Sequence, residues 1–344
     1  MRFPRVAVLP VVAFLVVPAV RADVTIHYKN DLKLGRGAPP PVAQAVSNQM
    51  KSFLSDAKVI QIKQTKGYST MGPFASLVDF AKQQITLIDP AHKQFTTVYL
   101  KDYADEVLAA MQAADTPSMP PEAQKILDAM KTSFSSRKTG RTDTILGVQV
   151  EETELTLAIE MPPPGGASPT AGATQASAPI PMMRMVIQLW TATAPEIQRI
   201  PALQEFVSAH MESSAESLIM IPGGSMQKLL SSLPGGRGFT EVLEELSKSK
   251  SVTLKTHAEF YTPALAQAFQ AMQNQGEDLP KGFDPNAPIM EMSMEATDIS
   301  TAPIDDAVFQ VPRDYHVVLV PEFLKSISAA PKASESPMPA EPPQ

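Results

Sequence analysis

The chain has 344 residues, with 29 Lys and Arg against 36 Asp and Glu, and a formal charge of −7 at neutral pH. That acidic balance, without a basic tract, argues against grip on nucleic acid or on an anionic membrane through a positive patch. There is no cysteine, so thiolate nucleophiles, zinc ribbons, disulfides and a cysteine-borne lipid anchor are all excluded.

Arg2 and Arg5 precede an apolar run from Val6 to Val20, interrupted by Pro10 and Pro18, and Val20-Arg21-Ala22 places small residues at −3 and −1. The run is too short and too broken for a spanning helix, and the pattern is that of a secretory signal. The expectation is a signal peptide over residues 1–22 and a mature chain from Asp23, periplasmic or secreted, without stable membrane insertion. A single domain is expected over residues 23–321, large enough to hold together by burial without disulfides. Residues 162–181 read as a disordered Pro-rich loop inserted between strands. Residues 322–344 read as a C-terminal tail, Pro-rich and disordered from about 331.

Strand patterns with period two recur along the chain. Val24, Ile26 and Tyr28 alternate with Thr25, His27 and Lys29. Gln84–Ile88 leads through Asp89-Pro90-Ala91-His92 into a second strand, a hairpin with Pro90 preset for its turn. In that second strand Phe95, Thr97 and Tyr99 alternate with Gln94, Thr96 and Val98. Tyr103, Val107, Leu108 and Met111 then fit one helix face, as do Ile126, Leu127, Met130 and Phe134 after Pro120-Pro121. Leu155, Leu157 and Ile159 alternate with Glu154, Thr156, Ala158 and Glu160. After Trp190 a helical block is predicted, with Leu203, Phe206, Val207 and Met211 on one stripe. Two further helices are capped by Ser225 and by Thr240. The last strands alternate Val252, Leu254, Ala258 and Phe260 with Thr253, Lys255, His257 and Glu259, and Met290, Met292 and Met294 with Glu291, Ser293 and Glu295. Such alternation belongs to antiparallel sheet with one dry face, and the helices are able to cover it. The predicted class is α+β.

The order of segments carries a resemblance. "GYSTM", "ITLIDPAHKQFTTV", "KTGRTDTILGVQVEETELTL", "IQLW" and "ISTAPIDDAVFQVPRDYHVV" follow one another between Asp23 and Val320. They resemble an exported bacterial domain family related to the periplasmic lipoprotein-carrier (LolA/LolB-like) superfamily. In that likeness Ile85 to Pro90 is the strand ending in Asp-Pro, Thr144 to Gly147 the T-x-x-G turn, and Phe309, Pro312 and Tyr315 the closing F-x-x-P-x-x-Y. The resemblance implies a large, curved antiparallel sheet, an unclosed half-barrel wrapping several helices. It also implies a cavity able to accept acyl chains. The Pro-rich insertion and the extra helical block depart from those carriers, so their cargo is not carried over and none of their functional residues is placed here.

Catalytic motifs are weak. Ser-x-x-Lys occurs at Ser55/Lys58, Ser225/Lys228 and Ser247/Lys250, and Lys138-Thr139-Gly140 reads as K-T-G. The intervening Ser-x-Asn element is missing and two of the three pairs follow the K-T-G, the wrong order for penicillin-recognising enzymes. His257 and Glu259 share a strand face, which a solvated polar face explains better than a metal. The methionines pose a sharper question, because thioethers suit Cu(I). Met290, Met292 and Met294 recur about 6.5–7 Å apart along a strand, long for one ion, and core or the lining of a lipid-type cavity fits them better.

The expected function is therefore non-catalytic, with no cofactor and no metal. It is binding or carriage of an apolar lipid, acyl-chain or lipoprotein-type ligand, with Met290, Met292, Met294, Leu155, Leu157 and Ile159 as candidate lining. The alternative is an envelope structural or interaction protein with a filled core and an envelope protein as partner. Cu(I) binding through Met is the distant third. Sequencing the N-terminus of the exported protein should give Asp23, and an intact Met1 in a membrane fraction is the result that would refute the signal.

Overall fold

The computed structural model describes residues 23–37, 57–71, 73–113, 131–160, 181–208, 251–274, 283–284 and 286–328. The segments expected as signal peptide, most of the Pro-rich loop, the Ser225 and Thr240 helices and the last residues of the tail lie outside them.

A single mixed sheet of twelve strands dominates. From β1 (Val24–Leu34) the chain steps outward through β2 (Ala57–Lys63), β3 (Lys66–Met71), β4 (Phe74–Asp79), β5 (Gln84–Asp89) and β6 (Gln94–Tyr99). A second series starts at the far edge with β7 (Lys131–Ile145). It returns through β8 (Val148–Glu160), β9 (Pro181–Ala192), β10 (Thr253–Tyr261) and β11 (Met290–Ser300), which pairs with β1. All these pairings are antiparallel. The two-residue β12 (His316–Val317) then adds to β6 in parallel, so the sheet is mixed where antiparallel was expected. β7 and β12 stand at opposite ends, and the sheet is not closed.

Few helices are present among the described residues: α1 (Leu100–Ala113), α2 (Ala194–Arg199), α3 (Pro201–Ser208), α4 (Pro263–Asn274) and α5 (Val320–Ser328). Phe134, expected on a helix, lies in β7 opposite Leu157. The run Lys131-Thr-Ser-Phe-Ser-Ser is poor in helix formers, and pairing with β8 decides its state. The chain also stays packed beyond residue 321, because α5 buries Val320 and Phe323, the latter 1% exposed. Pro181, placed in the loop by sequence, is the first residue of β9.

Local chemistry fixes the turns. Ile145 and Val148 are joined by Leu146 and Gly147, with φ of 52° and 75°, the two-residue hairpin geometry that matches strand twist. Gly35 and Gly37 extend the β1–β11 contact, their N–H groups donating to Ile289 O and Pro288 O at 3.0 and 2.9 Å. A Cβ on Gly35 would stand 1.8 Å from Pro288 O, so no side chain fits there.

Three apolar clusters hold the elements. The largest gathers Val24, Ile26 and Tyr28 of β1 with Ile60, Ile62, Leu254 and the α3 residues Leu203 and Phe206. Each fully buried large side chain contributes about 1.5–3 kcal/mol. The second sets Ile85 and Val98 against Leu100, Tyr103 and Val107 of α1 and Val320 of α5. The third joins Leu77 and Ile88 to Ile304 and Phe309. Because α1 and α5 lie on the Val98 side of β6, its buried set is Gln94, Thr96 and Val98, while Thr97 and Tyr99 are exposed. The more apolar-looking alternation Phe95–Thr97–Tyr99 faces outward or only half inward.

Asp89 ties this end together. Its Oδ1 accepts the N–H groups of Ala91 and His92 at 3.0 and 3.3 Å, closing the hairpin turn. Its Oδ2 meets His92 Nδ1 at 2.6 Å, Gln94 Nε2 at 3.1 Å and Ser326 Oγ of α5 at 3.4 Å. Burial pushes the carboxyl up, but the His92 and Gln94 hydrogen bonds outweigh it and leave the pKa below the usual 3.8. Asp89→Ala should cost about 2–4 kcal/mol in urea unfolding at neutral pH, since buried Gln94 and the part-buried turn N–H groups, His92 and Ser326 lose their acceptor. A carboxylate lowered in the folded state stabilises above its unfolded pKa and loses that contribution as pH falls through its folded one. The gap between wild type and variant should therefore narrow below pH 3.8.

Candidate functional site

The register of β1, β11, β10, β9, β8 and β7 lays residues in rows across six strands, and directly opposed residues share a face. One row runs Leu34, Met290, Phe260, Met185, Leu157, Phe134. The next runs Leu32, Met292, Ala258, Ile187, Leu155, Ser136, and the third Asn30, Met294, Thr256, Leu189, Thr153, Lys138. Ile159 follows on the same face, opposite Met183 and Thr132. All six residues singled out from sequence, Met290, Met292, Met294, Leu155, Leu157 and Ile159, thus lie on one face, with β9 and β10 between the two groups.

That face is apolar and carries one charge across three rows, Lys138 at the β7 edge. Met290, Met294, Leu155, Leu157, Leu189 and Ala258 are buried. Met292, Ile159, Met185, Ile187, Phe260 and Leu32 are half-buried, and Leu34 is 42% exposed at the end of the first row. Helix α4 packs against β9. The cover is uneven: Met290 and Leu157 are as buried as Met294, while Met292, Phe260, Met185 and Ile187 among them are half-buried.

The opposite face of the same strands is charged and internally paired. Lys255 Nζ meets Glu295 Oε2 at 3.0 Å, His257 Nε2 meets Glu259 Oε1 at 3.5 Å, and Arg137 Nη2 meets Glu154 Oε1 at 2.9 Å. Burial, then the hydrogen bond its hydroxyl gives Glu259 at 2.8 Å, pushes the Tyr261 phenol up to about 12. Among the described residues no three His, Asp or Glu side chains converge to hold a metal. The methionines are spread as well, since Met185 is separated from Met290 by all of β10, about 10 Å in two strand spacings.

The motif residues have structural partners. Thr139 of the K-T-G donates to Glu152 Oε2 at 3.0 Å at a bulge in β7 where Gly140 takes a φ of 78°. Glu152, 1% exposed, also pairs with Arg141, whose guanidinium lies 5.9 Å over the Trp190 ring. Ser55 and the two later Ser-x-x-Lys pairs lie outside the described residues. Lys58 itself is buried in β2, its ammonium 5.7 Å over the Tyr28 ring, and burial pushes its pKa down to about 8. Asp89, His92 and Ser326 form an acid–histidine–serine trio, yet Ser326 contacts Asp89 and not His92. That arrangement leaves the hydroxyl with no imidazole base against it among the described residues. Elsewhere a cleft of 160 Å³ opens beside β3, β4 and β5, with Leu77, Phe309 and Val311 against Lys66, Asp79 and Lys82.

Sequence reasoning missed the β9 contribution. Met183, Met185, Ile187 and Leu189 alternate in "PMMRMVIQLW", a signal hidden by its abutment on the Pro-rich stretch. It also passed over Thr256, a polar residue inside a dry row.

Met292→Glu should destabilise by about 2–4 kcal/mol in denaturant unfolding, because the new charge enters a row whose other residues are all uncharged. Glu291→Ala, one residue along and on the charged face, should stay within about 0.5 kcal/mol. Equal losses from both would show that the two faces are not distinguished as the register requires.

No protein-family model matches the chain, and no curated protein sequence matches it. Among solved structures it is similar to one of PNGF-II in space group C2, with 9% identity and a TM-score of 0.31 over 89% of this chain and 32% of that one. The chain thus spans about a third of the structure it matches, and a likeness of that size carries no argument about what it does.

Proposed function

We propose that the protein is a non-catalytic exported binder of an apolar, lipid-type ligand. The observation that carries this reading is the face of β7–β11 and β1, six strands wide and neutral except at its edge, on which Met292, Ile187, Met185 and Phe260 stay half-buried. A face that served only as core has no reason to stay half-buried along Met292, Ile187, Met185 and Phe260, whereas a lining does. Methionine suits such a lining because its unbranched, polarizable side chain adapts to different shapes. The unclosed sheet and the resemblance to the lipoprotein-carrier superfamily point the same way, and fold analogy adds only association. The signal-like N-terminus supports a periplasmic or secreted site of action, where the partner would be a lipid or a lipoprotein-type chain.

Native mass spectrometry of protein purified from its own periplasm tests the reading. Retained lipid, lost when Met292 and Ile187 are both changed to Trp, is the expected result. A clean apo mass from gently purified protein would instead favour an envelope structural protein with a filled core. Retained copper, abolished by Met292→Leu, would favour the thioether site.

A further inference from the structure

We infer that the ligand of the β8–β11 face carries one uncharged hydrogen-bonding group, and that the Thr256 hydroxyl receives it. This inference rests on the apolar-binding reading above and narrows its ligand class. Thr256 is 1% exposed, and its Oγ1 has no hydrogen-bond partner among the described residues. It stands directly opposite Met294 on β11 and Leu189 on β9, in the row beside Met292, Ala258, Ile187 and Leu155. A buried hydroxyl left without a partner is an exception among native structures and asks for an explanation. A sheet strand could place Val or Ile here at no loss of packing, so the hydroxyl adds only chemistry.

The surroundings decide what that chemistry suits. Along the Thr256 row the single cation is Lys138, three strands away on β7, about 14 Å by strand spacing. Its ammonium is drawn towards Glu151 on the neighbouring strand, at 3.9 Å. A carboxylate or phosphate brought to Thr256 would lose its hydration with no opposite charge to replace it. An alcohol, ester or amide oxygen would lose far less: each can accept from the freely rotating hydroxyl, and the alcohol can also donate to it. The apolar part of the ligand would then lie along Ala258 and Phe260, towards the exposed Leu34. The ligand class is a neutral, chain-bearing alcohol or ester, and not a free fatty-acid anion.

Isothermal titration of the exported chain with 1-decanol and with decanoate, at about pH 8 where a carboxylate is ionised, tests this. Wild type should bind 1-decanol about tenfold or more tighter than decanoate. Thr256→Val, which keeps the side chain's shape, should weaken 1-decanol about three- to tenfold, the worth of one hydrogen bond. It should leave the melting temperature equal or higher, because an unpaired polar atom is removed. Thr256→Ser should restore the alcohol affinity. Equal affinity for the two probes, or a Thr256→Val protein that binds 1-decanol like wild type, overturns the inference while leaving apolar binding intact. Failure of both probes to bind wild type overturns the binding reading together with it.

Discussion

Strand β1 has a neighbour on each side, and the two come from opposite ends of the chain. β2 follows it directly, whereas β11 arrives after the whole second series of strands has been laid down from the far edge. The β1–β11 contact is therefore the one seam joining two sheets that would otherwise each expose a long edge, a hazard for any sheet. Its details are correspondingly specific. The register shifts at His27/Tyr28, and the displaced Thr297 hydroxyl donates to His27 O at 3.3 Å. Tyr28 reaches further, donating to Thr253 O of β10 at 3.1 Å. Beyond the strand, Gly35 and Gly37 let the backbone continue against Pro288 and Ile289 where any side chain would collide.

Asp23, just ahead of β1, secures the same seam by charge. Its carboxylate accepts the N–H of Ile304 at 2.7 Å and faces Lys63 at 3.7 Å, while Lys63 also reaches Asp306 at 2.9 Å and Ile304 O at 2.7 Å. First strand, second strand and C-terminal crossing thus meet at one ammonium. The pair with the exposed Asp306 contributes little, and the partly buried Asp23–Lys63 pair fixes where the crossing segment lies. That placement lets Phe309 and Tyr315 cover the Leu77 side of the sheet, leaving the six-strand face on the other half to its partial cover.

How much of this was legible in the sequence depends on how evenly each strand alternates. The β11 run Met-Glu-Met-Ser-Met-Glu alternates without exception, and its faces were readable residue by residue. β6 alternates too, but Thr96 and Gln94 are the buried partners of Val98, because helices from elsewhere in the chain decide which side is inside. Glu152 interrupts the pattern of β8 as a buried carboxylate paired across the strands with Arg141, something local periodicity cannot report. The alternation of Met183 to Leu189 was masked by neighbouring proline, and α5 by its position next to a tail of similar composition. Tertiary position overrode local pattern in each case.

The placement of β11 also sets when the molecule can exist. Residues bonded across the seam, such as His27 and Thr297, are 270 positions apart. At ribosomal speeds of about 5–20 residues per second, the first strand waits roughly 15–55 s for its partner to be synthesised. During that interval Val24, Ile26 and Tyr28 have half a core, and the cost of closing so long a loop delays pairing further. A nascent chain built this way cannot close the β1–β11 seam until it is nearly complete, whereas the β2–β6 hairpins have their partners at once.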